Sequence, residues 1–227
     1  MSRPIVMVPG FATSAARTWG GNGWYDILGD LGRQVVGVDL LGHGTAEKPT
    51  DPAAYARFED DLLDRLPDEP VDAIGFSLGA RTLLVAAARQ PQRFHSLVLA
   101  GVGVNILEPE GPEHFRRVAE AVQGIGDLED PTLRYFASLG RAPDQDPAAL
   151  AALVQRERRP ITDESLERIT FPVLVVIGDR DRVGPAEPLV DLLPTSRLVV
   201  LKGVDHAATP KSTAFVDAVV DHLEQVG

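Results

Sequence analysis

Residues 71–90 read VDAIGFSLGARTLLVAAARQ, an apolar run followed at once by a helical pattern. At the junction, Gly75 and Gly79 flank Ser77 in a G-x-S-x-G pentapeptide. Glycine at both positions lets strand and helix approach closely, because a side chain there would collide with neighbouring backbone. The stretch predicts a sharp strand-turn-helix corner with the serine hydroxyl projecting above a sheet. The alternative is an ordinary helix start with the serine as its cap.

Apolar, β-branched runs of strand length recur along the chain without alternating in polarity. They are PIVMV at 4–8, QVVGV at 34–38, VDAIGF at 71–76, SLVLAG at 96–101, PVLVVIG at 172–178 and RLVVLKG at 197–203. Continuous apolar strands indicate burial on both faces, as in a parallel sheet between layers of helices. Helical patterns separate them, at 24–31, 53–66, 78–90, 186–193 and 212–225. This alternation predicts an α/β fold with a doubly wound, mostly parallel sheet.

The region 104–170 interrupts that alternation. It offers no strand candidate and shows helical patterns at 112–123, 129–139 and 146–158. Because it enters after the strand at 96–101, we expect it to pack over the carboxyl edge of the sheet, where such folds bind ligands. The chain is therefore divided into a core, 1–103 with 171–227, and a helical lid or cap at 104–170. A helical appendage with only a structural role is the alternative.

The composition excludes several classes of protein. The 227 residues are 44% hydrophobic, which suits one large domain or two small ones with a sizeable core. With 22 basic and 33 acidic residues the net charge is −11, which argues against nucleic acid as a partner. The chain has no cysteine, and no apolar stretch approaches the roughly 18 residues of a membrane span. We expect no cofactor, no metal site and a cytoplasmic location.

A serine hydroxyl needs a base near neutral pH, most often a histidine, and the chain has five. His222, in the last helical pattern, is expected at the surface. His114, in the region 104–170, and His95, at the amino edge, are expected to be structural. His43 follows the second strand in DLLGHG and stays a second candidate, although this setting equally fits a tight turn. His206, in LKGVDHAATP after the last strand, belongs at the same carboxyl edge as the serine and is the best base.

The imidazole in turn needs a carboxylate that fixes its tautomer and stabilises its charged form. The loop after the fifth strand reads DRDRVGP and supplies Asp179 and Asp181. The loop after the fourth strand has no carboxylate before Glu108, so the fifth-strand loop is the expected source. Asp205 adjoins His206, but neighbouring loop side chains rarely converge head-on. A solvated charged turn is the alternative for this loop.

The order Ser77, Asp181, His206, each just past a successive strand, resembles that of the α/β-hydrolase family, as does VPGF after the first strand. The resemblance spans nearly the whole chain. The family's acid usually ends a G-x-x-D pattern, matched from Gly178, so the resemblance selects Asp181. Its histidine commonly ends a G-x-x-H pattern, matched from Gly203. DLLGHG is similar to a family loop whose histidine is structural.

The same resemblance implies two backbone N–H groups that bind an oxyanion. In the family one of them follows a His-Gly pair in the first loop. Here the pair is Pro9-Gly10, which assigns the role to Phe11. Leu78 supplies the other donor from the helix start, where free N–H groups and the positive end of the dipole lie.

The expected reaction is acyl transfer from a small to medium carboxylic ester to water through an acyl-enzyme. Thioesters, lactones and carbon-carbon bonds are open to the same machinery. A catalytically weak ligand-binding protein with this fold is the rival from another class. The partner is a small-molecule substrate, and the oligomeric state stays open.

Two sets of side chains are candidates for the substrate pocket. Phe11, Trp19 and Trp24 lie in or beside the first loop and suit an apolar wall, although core packing explains Trp24 equally well. The QRERRP run at 155–160 places Arg156 or Arg159 within reach of a substrate carboxylate, or else forms a solvated helix face.

Overall fold

The computed structural model describes residues 3–108 and 110–227. Six strands form one sheet in the order β2-β1-β3-β4-β5-β6, and every neighbouring pair is parallel. The strands are β1 Ile5–Val8, β2 Val35–Gly37, β3 Val71–Phe76, β4 Phe94–Ala100, β5 Val173–Gly178 and β6 Ser196–Leu201. The predicted α/β fold with a doubly wound sheet is confirmed, and the sheet is parallel throughout.

Helices fill the connections between the strands. Within the described ranges they are α1 Ala15–Thr18, α2 Trp24–Asp30, α3 Phe58–Leu63, α4 Leu78–Arg89, α5 Val104–Leu107, α6 Pro112–Val122, α7 Pro131–Gly140, α8 Pro147–Gln155, α9 Asp163–Leu166, α10 Glu187–Asp191 and α11 Thr213–Val226. The single helix predicted over 53–66 is wrong. A 3-10 turn at Pro52–Tyr55 precedes α3, because Arg57 interrupts the helical backbone with φ −108° and ψ 29°.

Helices cover both faces of the sheet, so each strand contributes to two separate cores. Val6 and Val8 of β1 belong to the apolar cluster that also contains side chains of α3, α4 and α10, whereas Ile5 and Met7 belong to the one with α2 and α11. This alternation follows from the two-residue period of a strand. It also explains the unbroken apolar runs in the sequence, since both faces of the strands are buried.

The strand order reverses beside β1. The chain runs from β1 to β2 on one side of it, and the later strands from β3 to β6 follow on the other side. Such a reversal opens a crevice at the carboxyl edge of a parallel sheet. The residues between β4 and β5, 104–170, are called the helical insertion below. Its helices α6, α7 and α8 pack on one another through a third apolar cluster that includes Val118, Leu133 and Leu150. No helix in the described part of the chain is long and apolar enough to traverse a bilayer.

Candidate active site

Ser77 occupies the tight corner between β3 and α4, with φ 52° and ψ −113°. A positive φ is unusual for a residue with a side chain, and it turns the chain sharply enough to present the hydroxyl above the sheet. A Cβ added at Gly75 would lie 2.7 Å from the Cα of Ala80, and one added at Gly79 would collide with the backbone carbonyl of Val8. The two glycines thus permit the close approach of β3, α4 and β1 that the corner requires.

Three side chains from distant loops meet at this corner. Nε2 of His206 lies 3.0 Å from Oγ of Ser77, and its Nδ1 lies 2.7 Å from Oδ2 of Asp181. Asp181 has no exposed side-chain surface, and its other carboxylate oxygen accepts a hydrogen bond from the N–H of Val183 at 3.1 Å. Since a carboxylate only accepts, Nδ1 of the imidazole is the donor to it. Nε2 is then left to accept the serine proton.

The other two aspartates of these loops face elsewhere. Oδ1 of Asp179 accepts the N–H of Gly203 at 2.7 Å, which fixes the start of the loop that carries His206. Oδ1 of Asp205 accepts the N–H of Ala208 at 2.9 Å and so stabilises the turn after the histidine. The structure therefore sets Asp181, and neither neighbour, against the imidazole.

His43, the second candidate base, is fully buried, and its Nε2 has no hydrogen-bond partner in the described part of the chain. Its Nδ1 lies 3.2 Å from the carbonyl oxygen of Leu41, and its ring meets that of Phe11 edge-on at 5.8 Å. Burial lowers the pKa of His43 to about 4. His43 is therefore a neutral histidine held in its own turn, and it is not hydrogen-bonded to Ser77.

His222 was expected at the surface, and this expectation is wrong, because only 2% of it is exposed. It follows Phe215 and Val219 by seven and three residues, which places it on the buried stripe of α11. Burial, with the nearby charge of Arg197, lowers the pKa of His222 to about 4.

His95 lies within β4 instead of before it, at the amino half of the strand. Its Nδ1 lies 2.9 Å from the carboxylate of Asp72, far along the sheet from the serine corner. His114, expected to be structural, is a wall residue of the cavity that holds Ser77.

The two backbone donors assigned to the oxyanion flank the serine. Within residues 3–108 and 110–227, the N–H groups of Phe11 and Leu78 donate to no protein atom. Leu78 is the first residue of α4, so its N–H lies at the positive end of the helix. Phe11 follows β1, the strand next to β3. These free donors suit a negatively charged oxygen at the serine.

A cavity of about 230 Å³ lies over the serine. Val118 of α6 and Phe136 of α7 form part of its apolar wall, together with Phe11. The helical insertion thus supplies side chains around Ser77, whereas its action as a lid stays a prediction. The polar side chains in the wall that the sequence analysis did not name are Arg81, Asn105 and Arg158. Asn105 and Arg158 carry no signal in their residue types, because the packing of the helical insertion decides which of its side chains reach the cavity. Arg81 lies one helical turn after Ser77 on α4, and this spacing could have identified it.

The tryptophans do not line this cavity. Trp19 and Trp24 are fully buried and meet edge-on in the core beneath α11. Nε1 of Trp24 donates to the carbonyl oxygen of Pro210 at 2.8 Å. The pocket interpretation is wrong for both, and the core alternative for Trp24 is correct.

The QRERRP run is no solvated helix face. Arg156 is 4% exposed and lines the serine cavity, which adjoins a second cavity of about 600 Å³. Arg159 instead donates to Asp60 on α3 at 2.7 Å. Across the described ranges, no group of three or more His, Cys, Asp or Glu side chains is placed to hold a metal ion.

The sequence matches a family model for the alpha/beta hydrolase fold over residues 3–125. It is 34% identical to the 2-hydroxymuconate semialdehyde hydrolase of Pseudomonas sp. (strain CF600), over 98% of this chain and 87% of that protein. It is 29% identical to the pimeloyl-(acyl-carrier protein) methyl ester esterase of Neisseria meningitidis serogroup B / serotype 15 (strain H44/76), over 76% of this chain and 75% of that one.

Among solved structures, the enol-lactonase from Burkholderia xenovorans LB400 superposes with a TM-score of 0.75. The match covers 99% of this chain and 92% of that one at 20% sequence identity. At that identity the likeness concerns the fold alone.

Proposed function

The chain belongs to the alpha/beta hydrolase fold family, and from this premise we propose that it is a serine hydrolase that cleaves a small to medium carboxylic ester. One observation carries the proposal: the unbroken line of hydrogen bonds from Ser77 through His206 to Asp181, at 3.0 and 2.7 Å. A protein that only binds a ligand has no chemical need for these three groups in contact.

Acylation begins when Oγ of Ser77 attacks the ester carbonyl while Nε2 of His206 takes its proton. The tetrahedral intermediate collapses, and the histidine returns the proton to the leaving alcohol. Water then attacks the acyl-enzyme with the same histidine as base, and the acid product leaves. No cofactor enters any step.

Asp181 acts through the histidine and not on the substrate. Its buried carboxylate accepts a hydrogen bond from Nδ1–H, which holds the imidazole in the tautomer that can receive the serine proton. Because the carboxylate has no exposed surface, its charge is little screened and stabilises the imidazolium formed in each step.

The N–H groups of Phe11 and Leu78 are proposed to bind the oxyanion. Both belong to backbone that the fold already orders, so they need not reorganise as charge develops. Loss of one such donor raises the barrier by about 2.7 to 4 kcal/mol in enzymes of this kind. The Pro9-Gly10 pair leaves this role intact, because the backbone does the binding.

The helical insertion is proposed to act as a lid that sets the range of substrates. Its apolar wall over the serine and the cavity of about 230 Å³ favour acyl groups of short to moderate length. Thioesters, lactones and carbon-carbon bonds next to a carbonyl remain alternatives. The relative named as a semialdehyde hydrolase is a reason to test them.

A fluorophosphonate probe tests the proposal directly, because it phosphonylates only a serine with an activated hydroxyl. The wild-type chain is expected to be labelled and to hydrolyse p-nitrophenyl butyrate. Ser77→Ala should lose both properties, whereas Ser138→Ala, on the exposed side of α7, should keep both. Equal labelling of wild type and Ser77→Ala would refute the assignment.

A panel of matched substrates then distinguishes the bond that is cleaved. The purified chain would be assayed on an ester, a thioester, a lactone and a β-diketone with acyl groups of equal length. The carboxylic ester is expected to give the highest kcat/KM. If the thioester, the lactone or the β-diketone gives a higher kcat/KM, that compound class replaces the carboxylic ester as the proposed substrate.

A further inference from the structure

An arginine cluster, defined as Arg81, Arg156 and Arg158, lies where the serine cavity meets the second cavity. All three side chains line both cavities. Arg81 extends from α4, one turn after Ser77, and the other two follow the end of α8. Two separate parts of the fold therefore bring positive charge to one boundary, beside the nucleophile.

Arg156 is the most buried member and lacks a full set of partners. Its Cζ lies 4.4 Å from the ring centre of Phe58, and its Nη1 donates to the carbonyl oxygen of Leu153 at 2.9 Å. Nε and Nη2 donate to no atom of the described residues. A buried cation with unused donors is costly to the folded state unless a bound group supplies the acceptors.

The two neighbours of Arg156 do not compensate its charge. Arg158 stacks on Phe115, with Cζ 3.5 Å from the ring centre. Nη1 of Arg81 is also without a hydrogen-bond acceptor in the described chain, and Oε1 of Glu59 lies 3.8 Å away. Glu59 is shared with a fourth arginine, so the cluster carries more positive than negative charge.

The pKa of Arg156 agrees with an excess of positive charge in the cluster. Burial and the like charge of Arg158 lower the pKa of Arg156 to about 9, so the guanidinium stays protonated at neutral pH. The chain as a whole has a net charge of −11, so this local excess of positive charge is opposite in sign to the charge of the protein. Such a site attracts and holds an anion.

We propose that the arginine cluster binds a carboxylate carried by the substrate, so that the preferred substrates are esters with a second, anionic end. This inference rests on the proposed function. The planar guanidinium fork of Arg156 matches a carboxylate with two parallel hydrogen bonds, which its Nε and Nη2 are free to make. Because the cluster and Ser77 share one cavity, a short chain of atoms separates the scissile carbonyl from the carboxylate.

Two matched pairs of substrates test the inference and locate the carboxylate. On the acyl side, p-nitrophenyl hydrogen glutarate is compared with p-nitrophenyl pentanoate. On the alcohol side, 4-acetoxybutanoate is compared with butyl acetate. The wild type should prefer the anionic member of one pair by about 10- to 100-fold in kcat/KM, the size of one or two charge-assisted hydrogen bonds.

Arg156→Met should lower that preference at least tenfold, mainly through a higher KM for the anionic ester. Arg156→Lys should keep part of the preference. Arg134→Met, an exposed arginine of α7, is the control and should behave as wild type. Fluorophosphonate labelling of Ser77 in every variant verifies that the nucleophile is intact.

The inference is overturned if labelled Arg156→Met keeps the wild-type preference, or if the wild type shows no preference. The proposed function is unaffected by either result, provided that the wild type still hydrolyses esters. If Arg156→Met fails to fold, the same ratio in Arg158→Met decides in the same way. If the wild type hydrolyses none of the four compounds and is not labelled, both the proposed function and this inference are refuted.

Discussion

Nε2 of His206 lies 3.0 Å from Oγ of Ser77, although 129 positions separate the two residues in the chain. They follow β6 and β3, which are separated in the sheet by β4 and β5, so the last loop must reach back across two strands. It passes over Gly101, where an added Cβ would lie 3.1 Å from Cε1 of His206. The parallel sheet thus brings the two groups to one edge, and glycine at this crossing gives the imidazole room.

Replacement of each candidate base should separate catalysis from stability. His206→Gln is expected to lower kcat by about 10²- to 10⁴-fold, because no group remains to take the serine proton. His43→Gln should instead lower the melting temperature, since it disturbs a fully buried ring, while the folded protein keeps most of its kcat. Ester hydrolysis and thermal melts of both variants check this. The opposite ranking would make His43 the base.

The two aspartates of the fifth-strand loop offer a matched pair. Asp181→Asn should reduce kcat roughly 10⁴-fold, as replacement of the acid by an amide does in such triads, because the imidazole loses its fixed tautomer. Asp179→Asn keeps an oxygen that can accept from Gly203 and should change kcat little. Steady-state kinetics on p-nitrophenyl butyrate measure both. Similar losses in the two variants would contradict the assignment of Asp181.

Glycine to alanine exchanges should have opposite effects in two helices. Gly79→Ala forces a methyl group against the backbone of Val8 and should cost about 1–3 kcal/mol of unfolding free energy. Gly29→Ala, at an exposed position of α2 with open space around it, should add about 0.5–1 kcal/mol. Urea denaturation of both variants measures the differences. A neutral Gly79→Ala would mean that the corner is not tightly packed.

The buried histidines make stability depend on pH. The pKa of His222 falls to about 4 in the folded chain, against about 6.5 for an unfolded histidine. Between these values the unfolded state binds a proton that the folded state does not, so stability falls as the pH falls through this window. The same sign holds for His43.

His222→Leu should therefore reduce the loss of unfolding free energy between pH 7 and pH 5 by about 2 kcal/mol. Gln225→Leu, exposed on the same helix, is the control and should leave the loss unchanged. Urea titrations at the two pH values give the comparison. An equal loss in wild type and His222→Leu would show that this histidine is not protonated on unfolding.

The fold could be predicted from the sequence because its strongest signals are local. Runs such as PVLVVIG are too apolar and too β-branched for anything but a strand buried on both faces, and each is bounded by a glycine or a helical pattern. The residues proposed for catalysis share this advantage. Ser77, Asp181 and His206 each follow a strand that the pattern identifies, and a parallel sheet brings those strand ends together.

Other features depend on packing between distant segments and had no local signal. Arg156 is buried because Phe58, almost a hundred positions earlier, lies against it. Trp19 and Trp24 are drawn into the core by α11, from the far end of the chain. His222 differs, since its spacing from Phe215 marks the buried face of its helix, and its burial could have been predicted.

The helical insertion leaves the core after β4 and rejoins it at β5, which is the neighbouring strand. Its two ends therefore meet the sheet side by side, and its length or sequence can change without shifting the pairing of any strand. Mutations can therefore accumulate there while Ser77, Asp181 and His206, which are encoded outside it, stay as they are. If the helical insertion sets the range of substrates, as proposed, exchanging this one contiguous segment between related proteins changes the selectivity without disturbing the sheet.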